Sequence, residues 1–286
     1  MTNSDAFWSA VDTELAAVPA APELEEMPLH SLDTATLYFV RLTSIGPYRI
    51  SAYYSVPRGS GPFPGLLLTP RYGSVNHIPD FHDRERYAVL QVHHRGQRLA
   101  DQPFRAEYPG LLTLGIESPE TFIYRGIVAD CLRGLDFLRA RSEVGSKLAV
   151  QGDDLALLVA ARRPRAVSAV LASDLLLYRL LDAAARSDAY PVEEINDYLR
   201  AWPERREAVA TTLSYFDPLH HAHGIRALTM LPRVDDDWLA PLRQALGADV
   251  AEYTITHRGQ DDHAALDAWL AQQLGAEPRP RFLQNV

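Results

Sequence analysis

Apolar positions along this chain fall into two kinds of run. Residues 36–43 and 48–56 alternate apolar and polar side chains, which predicts antiparallel strands with one exposed face. Residues 65–69, 87–93, 147–151 and 169–172 are short, nearly continuous apolar runs, the pattern of strands buried on both faces. Further strands are expected at 227–231 and 252–256. Between these runs, residues 123–138 place apolar side chains at helical spacing, and residues 264–274 read as a closing amphipathic helix. Residues 5–27 read as an amphipathic helical arm ending in the Pro/Ala-rich stretch 18–22. Residues 175–215 are mostly helical, rich in Leu, Ala, Arg and Glu, and interrupted at Tyr190-Pro191 and Trp202-Pro203. Strands alternating with helices at this spacing predict an α/β fold: a mainly parallel, doubly wound sheet with an antiparallel start. The expected organisation is one domain over residues 1–286, with an N-terminal arm (1–27) and a helical cap insertion at about 175–215.

Composition narrows the functional classes. At 47% hydrophobic and 23% charged, the chain can bury a sizeable core. A net charge of −9 argues against non-specific binding of nucleic acid or anionic membrane, both of which need a basic face. No window approaches the length of a membrane span, and the polar N-terminus lacks a secretion signal, so a cytoplasmic location is expected. The single cysteine, Cys131, excludes an intrachain disulfide and falls on an apolar helical position. No Gly-rich dinucleotide or phosphate loop is present, and no cofactor is expected.

The chemistry concentrates at residues 147–156, where a buried strand runs into a turn and a helix. A nucleophile elbow takes the form small-x-nucleophile-x-small, because its strained turn crowds the backbone of the nucleophile. Gly152 and Ala156 supply the small positions and Asp154 the centre, while no serine lies between Ser146 and Ser168. An aspartate there has three readings: a nucleophile suited to an sp3 carbon, a general acid or base with a pKa raised by burial, or a helix cap shared with Asp153. His93 and His94 end a core strand, where loops meet ligands in open α/β sheets. The group His220, His221 and His223 has near-metal spacing but reads as a solvated connector, and no metal site is expected. Arg162, Arg163 and Arg165 complement a helix C-terminus.

An ordered set of segments resembles the acetyl xylan esterase and cephalosporin-C deacetylase family, carbohydrate esterase family seven, over nearly the whole chain. The segments are Asp5-Ala-Phe-Trp8, His94-Arg-Gly-Gln97, Tyr108-Pro-Gly110, Gly115-Ile116, Tyr124-Arg125 followed by Asp130, and Leu213-Ser-Tyr-Phe-Asp217. The resemblance implies an α/β-hydrolase fold, a small-molecule substrate and a compact homo-oligomer. It also implies site residues. The oxyanion tyrosine falls at Tyr72, with the backbone of Leu155 as the second donor after an elbow at Asp154. The acid falls at Asp235, with Asp236 and Asp237 beside it, and the histidine at His257; apart from the resemblance, His263 at the start of the final helix is a possible substitute. Arg95, Gly96 and Gln97 carry the structural signature that braces loops near the site. The family's elbow reads Gly-x-Ser-Gln-Gly-Gly, whereas this chain has Gly152-Asp-Asp-Leu-Ala; an alternative alignment sets Gln151-Gly152 on the family's Gln-Gly and deletes the serine. The expected function is a divergent hydrolase-type enzyme using Asp154 and His257, or, alternatively, an inactive pseudo-esterase that binds or scaffolds.

Overall fold

The computed structural model describes residues 3–233, 237–246, 250–257 and 259–279. Helix α1 (Asn3–Ala17) leads to strand β1 (Glu23–Glu26), the hairpin β2 (Ala35–Ser44) and β3 (Tyr48–Pro57), β4 (Phe63–Leu68), the single turn α2 (Phe81–Arg84) and β5 (Ala88–His93). Then come α3 (Ile123–Arg139), β6 (Val144–Gly152), α4 (Asp154–Arg162) and β7 (Ala169–Ala172). Four short helices follow, α5 (Leu180–Ala184), α6 (Glu193–Ala201), α7 (Arg206–Ser214) and α8 (Pro218–His221). The chain closes through β8 (Leu228–Arg233), α9 (Ala240–Ala245), β9 (Val250–Thr254) and α10 (Gly259–Leu274).

Among the described residues the strands form one sheet in the order β1-β2-β3-β5-β4-β6-β7-β8-β9. Pairing is antiparallel from β1 through β3 to β5 and parallel from there to β9. The continuous apolar runs sit at the parallel centre, where side chains alternate between two cores. Leu67, Leu90, Val92 and Val150 face the core that α3 and α4 cover. Leu66, Val89, Ala149 and Ala169 face Leu270 and Leu274 of α10. Close helix–sheet approach depends on Gly134 of α3, where a Cβ would lie 2.5 Å from Val92 Cγ2.

Two local readings of the sequence need correction. The arm is helical only to Ala17, and Glu23–Glu26 is an edge strand whose four residues are all exposed. It carries no apolar alternation because both its faces meet solvent; backbone pairing with β2 and the Glu23–Arg49 ion pair (2.9 Å) hold it. Within 175–215, the segment before Leu180 is not helical, for reasons that lie at the site. The arm's Trp8 is 1% exposed, donates its indole N–H to Tyr215 O at 2.9 Å, and meets Phe216 edge-on at 5.4 Å. The N-terminal segment is thereby fastened to the residues that follow α7. Cys131 is fully buried, and burial pushes its thiol pKa well up. Among the described residues no helix is long and apolar enough to cross a membrane.

Candidate functional site

The parallel strands β4, β6 and β7 end side by side, and the loops leaving them enclose a cavity of about 420 Å3. Arg71 and Tyr72 come from the loop after β4, Gly152 and Asp153 from the end of β6, and Ser173, Asp174 and Leu176 from the loop after β7. Pro191 and Val192, just ahead of α6, close it from above. This is where an open α/β sheet binds ligands, beyond the carboxyl ends of its strands. A second, more polar lobe of about 310 Å3 adjoins it, lined by Thr69, Asn76, His77, Asp80, Gln91 and Gln151 among others. Arg71, Gly152 and Ser173 line both lobes.

At the turn from β6 to α4 the two aspartates part company. Asp153 is the helix N-cap; its carboxylate accepts from Leu155 N at 3.0 Å, and its side chain borders the cavity. Asp154 is 1% exposed. Its Oδ1 accepts from Tyr178 N at 2.9 Å, and its Oδ2 accepts from Leu177 N at 2.8 Å and from Leu176 N. Three consecutive backbone donors thus converge on one buried carboxylate. This is why residues 176–178 are not helical: their N–H groups point at Asp154 instead of along a helix axis. Asp154 therefore serves as an internal anchor for the loop after β7, with both oxygens engaged. No residue in 147–156 has a positive φ, so the turn lacks a strained elbow's backbone. Gly152 is required for another reason, since a Cβ there would sit 1.8 Å from Thr69 Oγ1.

Electrostatics separate the pair further. Burial, and then the neighbouring Asp154 carboxylate, push the Asp153 pKa well above the usual carboxylate range. Burial raises Asp154 as well, but its backbone donors from 176–178 stabilise the ionised form and oppose that rise. Two adjacent carboxyls in one buried turn cannot both ionise cheaply. The proton of the pair belongs on Asp153, at the cavity wall, and the charge on Asp154, where three donors meet it.

The other expected site residues are dispersed. Tyr72 lines the cavity and donates its hydroxyl to Glu194 Oε1 of α6. Glu194 Oε2 accepts from Gly110 N at 2.8 Å and Leu112 N at 3.2 Å, so this carboxylate clips α6 to the body of the protein. Burial, then the Glu194 contact, raises the Tyr72 phenol well above its ordinary value. Leu155 N, the expected second oxyanion donor, is engaged by the Asp153 cap. His257 is exposed beyond β9 with φ +57°, beside Asp262, whose carboxylate accepts from Thr256 N at 2.8 Å. It borders neither lobe. Asp235 and Asp236 lie outside the described residues; Asp237 pairs with Arg243. His263 borders a crevice of about 30 Å3 with Gln151 and Leu171 on the α10 face of the sheet.

The Arg-Gly-Gln signature is a brace for the cavity wall. Arg95 grips the buried Asp130 carboxylate through Nη2 (2.8 Å), Nε (3.0 Å) and its backbone N–H (2.9 Å). Its guanidinium occupies the space where a side chain at Gly126 would lie. Gly96 has φ +85°, and a Cβ there would fall 2.6 Å from the Phe104 ring. Gln97 donates to Arg71 O (3.1 Å) and Gly73 O (2.7 Å) and accepts from Asn76 Nδ2 (2.7 Å), which fixes the loop carrying Arg71 and Tyr72. His93 and His94 are buried beside it, and burial lowers both pKa values to about 4. Among the described residues no three His, Cys, Asp or Glu side chains are grouped so as to hold a metal ion. His220 and His221 bond instead to the carbonyls of Ser214 and Tyr215.

Sequence reasoning passed over Arg71, Asp174 and Glu194. The first two had a usable signal, since each follows a core strand within three residues; Glu194 had none.

A sequence model described as Acetyl xylan esterase (AXE1) matches residues 2–245 of the chain. The acetyl xylan esterase from Paenibacillus sp. R4 is 25% identical and superposes with a TM-score of 0.82, over 97% of this chain and 95% of that one. Acetyl Xylan Esterase 1 from Thermoanaerobacterium sp. JW/SL YS485 superposes at 0.74 with 22% identity, over 95% and 92%. Brefeldin A esterase, a bacterial homologue of human hormone-sensitive lipase, shares the fold at 0.52 with 16% identity, over 95% and 83%. The sheet order and these superpositions make the fold that of an α/β-hydrolase.

Proposed function

We propose that this chain, which belongs to the acetyl xylan esterase family of α/β-hydrolases, binds a small organic molecule in the strand-end cavity without the acyl transfer a serine nucleophile performs. One observation carries this reading: the carboxylate at the elbow centre, Asp154, is buried and engaged by three backbone N–H groups. A nucleophile needs a free lone pair aimed at the substrate and a base within hydrogen-bond reach. Asp154 borders neither lobe and spends three of its lone pairs on backbone donors, and the exposed His257, the expected base, does not border the cavity either. The occupied Leu155 N–H removes an oxyanion donor as well. The same proposal keeps the homo-oligomer that the family resemblance implies and the cytoplasmic location expected from composition.

A second reading rests on Asp153. A carboxyl at the cavity wall, held protonated by burial and its neighbour, is equipped for general acid–base work on a bound substrate.

Hydrolysis of a chromogenic acetate ester, followed for wild type and for Asp153→Asn, Asp154→Ser and His257→Ala, separates the readings. The expected result is no turnover above buffer by any of the four. Turnover lost in Asp153→Asn and kept in the other two would favour the acid–base reading. Turnover that needs Asp154 and His257 would overturn the binding reading and restore the expected Asp154 nucleophile.

A further inference from the structure

Within the cavity one cation, Arg71, makes no ion pair among the described residues, although the Asp153 carboxyl lies close enough to feel its charge. Arg71 is exposed at the junction of the two lobes, and among the described residues no carboxylate lies within ion-pair distance of its guanidinium. Its position is nonetheless fixed from behind, because Gln97 Nε2 holds its carbonyl at 3.1 Å. The walls on either side differ in kind. Toward the cap they are Leu175, Leu176, Pro191 and Val192; in the other lobe Asn76, His77, Asp80, Gln91 and Gln151 add polar groups among apolar ones such as Val75 and Ile78. Ser173 borders both lobes with Arg71, and the Asp153 carboxyl borders the apolar one.

We propose that Arg71 is a carboxylate clamp and that the ligand is a small monocarboxylic acid, its apolar body under Leu175 and Val192 and its carboxylate at the lobe junction. This deepens the binding reading above and rests on it. A guanidinium presents paired N–H donors that match the two oxygens of a carboxylate, an arrangement a neutral ester or amide cannot use as well. The Ser173 hydroxyl and the protonated Asp153 add neutral donors on the same side. A dianion such as phosphate is disfavoured, because the Asp174 carboxylate lines the same lobe and a single arginine faces it. The site would thus take the acid half of an ester rather than the ester.

The test is titration calorimetry with acetate, butanoate and phenylacetate, each against its neutral amide, on wild type, Arg71→Gln and Arg71→Lys. The expected result is that at least one acid binds about tenfold more tightly than its amide. Arg71→Gln should abolish that preference while amide binding persists, and Arg71→Lys should restore part of it. Acid and amide binding equally to wild type, or a preference that survives Arg71→Gln, would overturn the clamp and leave the cavity-binding reading standing. If no acid and no amide binds, the cavity-binding reading fails and the clamp fails with it.

Discussion

Substituting Asp154 by Asn distinguishes an anchor from a nucleophile, because the two roles predict opposite patterns of loss. An anchor costs stability; a nucleophile costs activity and leaves the fold alone. The carboxylate accepts three backbone N–H bonds, two on Oδ2 and one on Oδ1. Hydrogen bonds to an ionised group contribute about 1.5–3 kcal/mol each, and neutral ones about 1 kcal/mol. Asn has one acceptor oxygen, so it keeps at best two of the three bonds in neutral form and turns its NH2 toward the third donor. The gross loss is about 4 kcal/mol by the same per-bond values. Removing a buried charge from beside Asp153 returns part of it, leaving a net destabilisation of about 2–3 kcal/mol. For a chain of this length that lowers Tm by about 4–6 °C. Asp153→Asn should behave differently. Asn caps helices as well as Asp, so the bond from Leu155 N survives. Because the folded-state pKa of Asp153 is raised, its stabilising contribution is full below the unfolded carboxylate value and is lost as pH rises through the folded one. Asp153→Asn should therefore match or exceed wild-type Tm at neutral pH, with a margin that grows as pH rises. Differential scanning fluorimetry of the two variants against wild type suffices. Should Asp154→Asn melt within about 1 °C of wild type while Asp153→Asn is the damaged one, the assignment of anchor and cavity acid would be reversed.

Three further outcomes are expected. Gly152→Ala should destabilise by about 1–3 kcal/mol, since its Cβ would overlap Thr69 Oγ1; urea unfolding that matches wild type would show that Thr69 can rotate away at little cost. Tyr72→Phe leaves one Glu194 oxygen short of a donor, at about 1.5–3 kcal/mol, and hydrogen exchange should rise in residues 193–201 and 110–112 before elsewhere. His93 and His94, held near pKa 4 against an ordinary 6.5, contribute their stabilisation above that ordinary value and give it up as pH falls toward 4. Each can withdraw up to about 3 kcal/mol, so equal urea midpoints at pH 7 and pH 4.5 would contradict their burial as neutral rings.

The sheet was legible wherever burial left a periodic mark. The central strands read as apolar runs because both faces are covered; β2 reads as alternation because one face is only partly covered, and β3 because its second face, though covered, carries the polar Arg49, Ser51 and Ser55. β1 escaped notice because a strand exposed on both faces buries no side chains and so has no apolar periodicity. At the site, the sequence placed an unusual carboxylate at the elbow but left open whether Asp153 or Asp154 faced inward. Adjacent residues at a strand-to-helix turn point in different directions, and only the partners decide which is which. Those partners, the N–H groups of 176–178, belong to a loop 22 to 24 residues further on, so nothing local to the elbow announces them. Glu194 was hidden for the same reason, since its bonds reach back over 82 to 122 positions to Tyr72 and to residues 110–112.

The bracing role of Arg95, Gly96 and Gln97 bears on how this chain and others like it are grouped. These three residues hold a loop, a buried carboxylate and a tight turn in place, and none of that depends on a serine being present at the elbow. A pattern keyed to them therefore selects for shape and is blind to reaction. Chains gathered under it share a frame, and a shared frame does not by itself fix the reaction. Sorting such a group by what it does means inspecting the end of β6 in each member, where the chemistry can change without the frame registering the change.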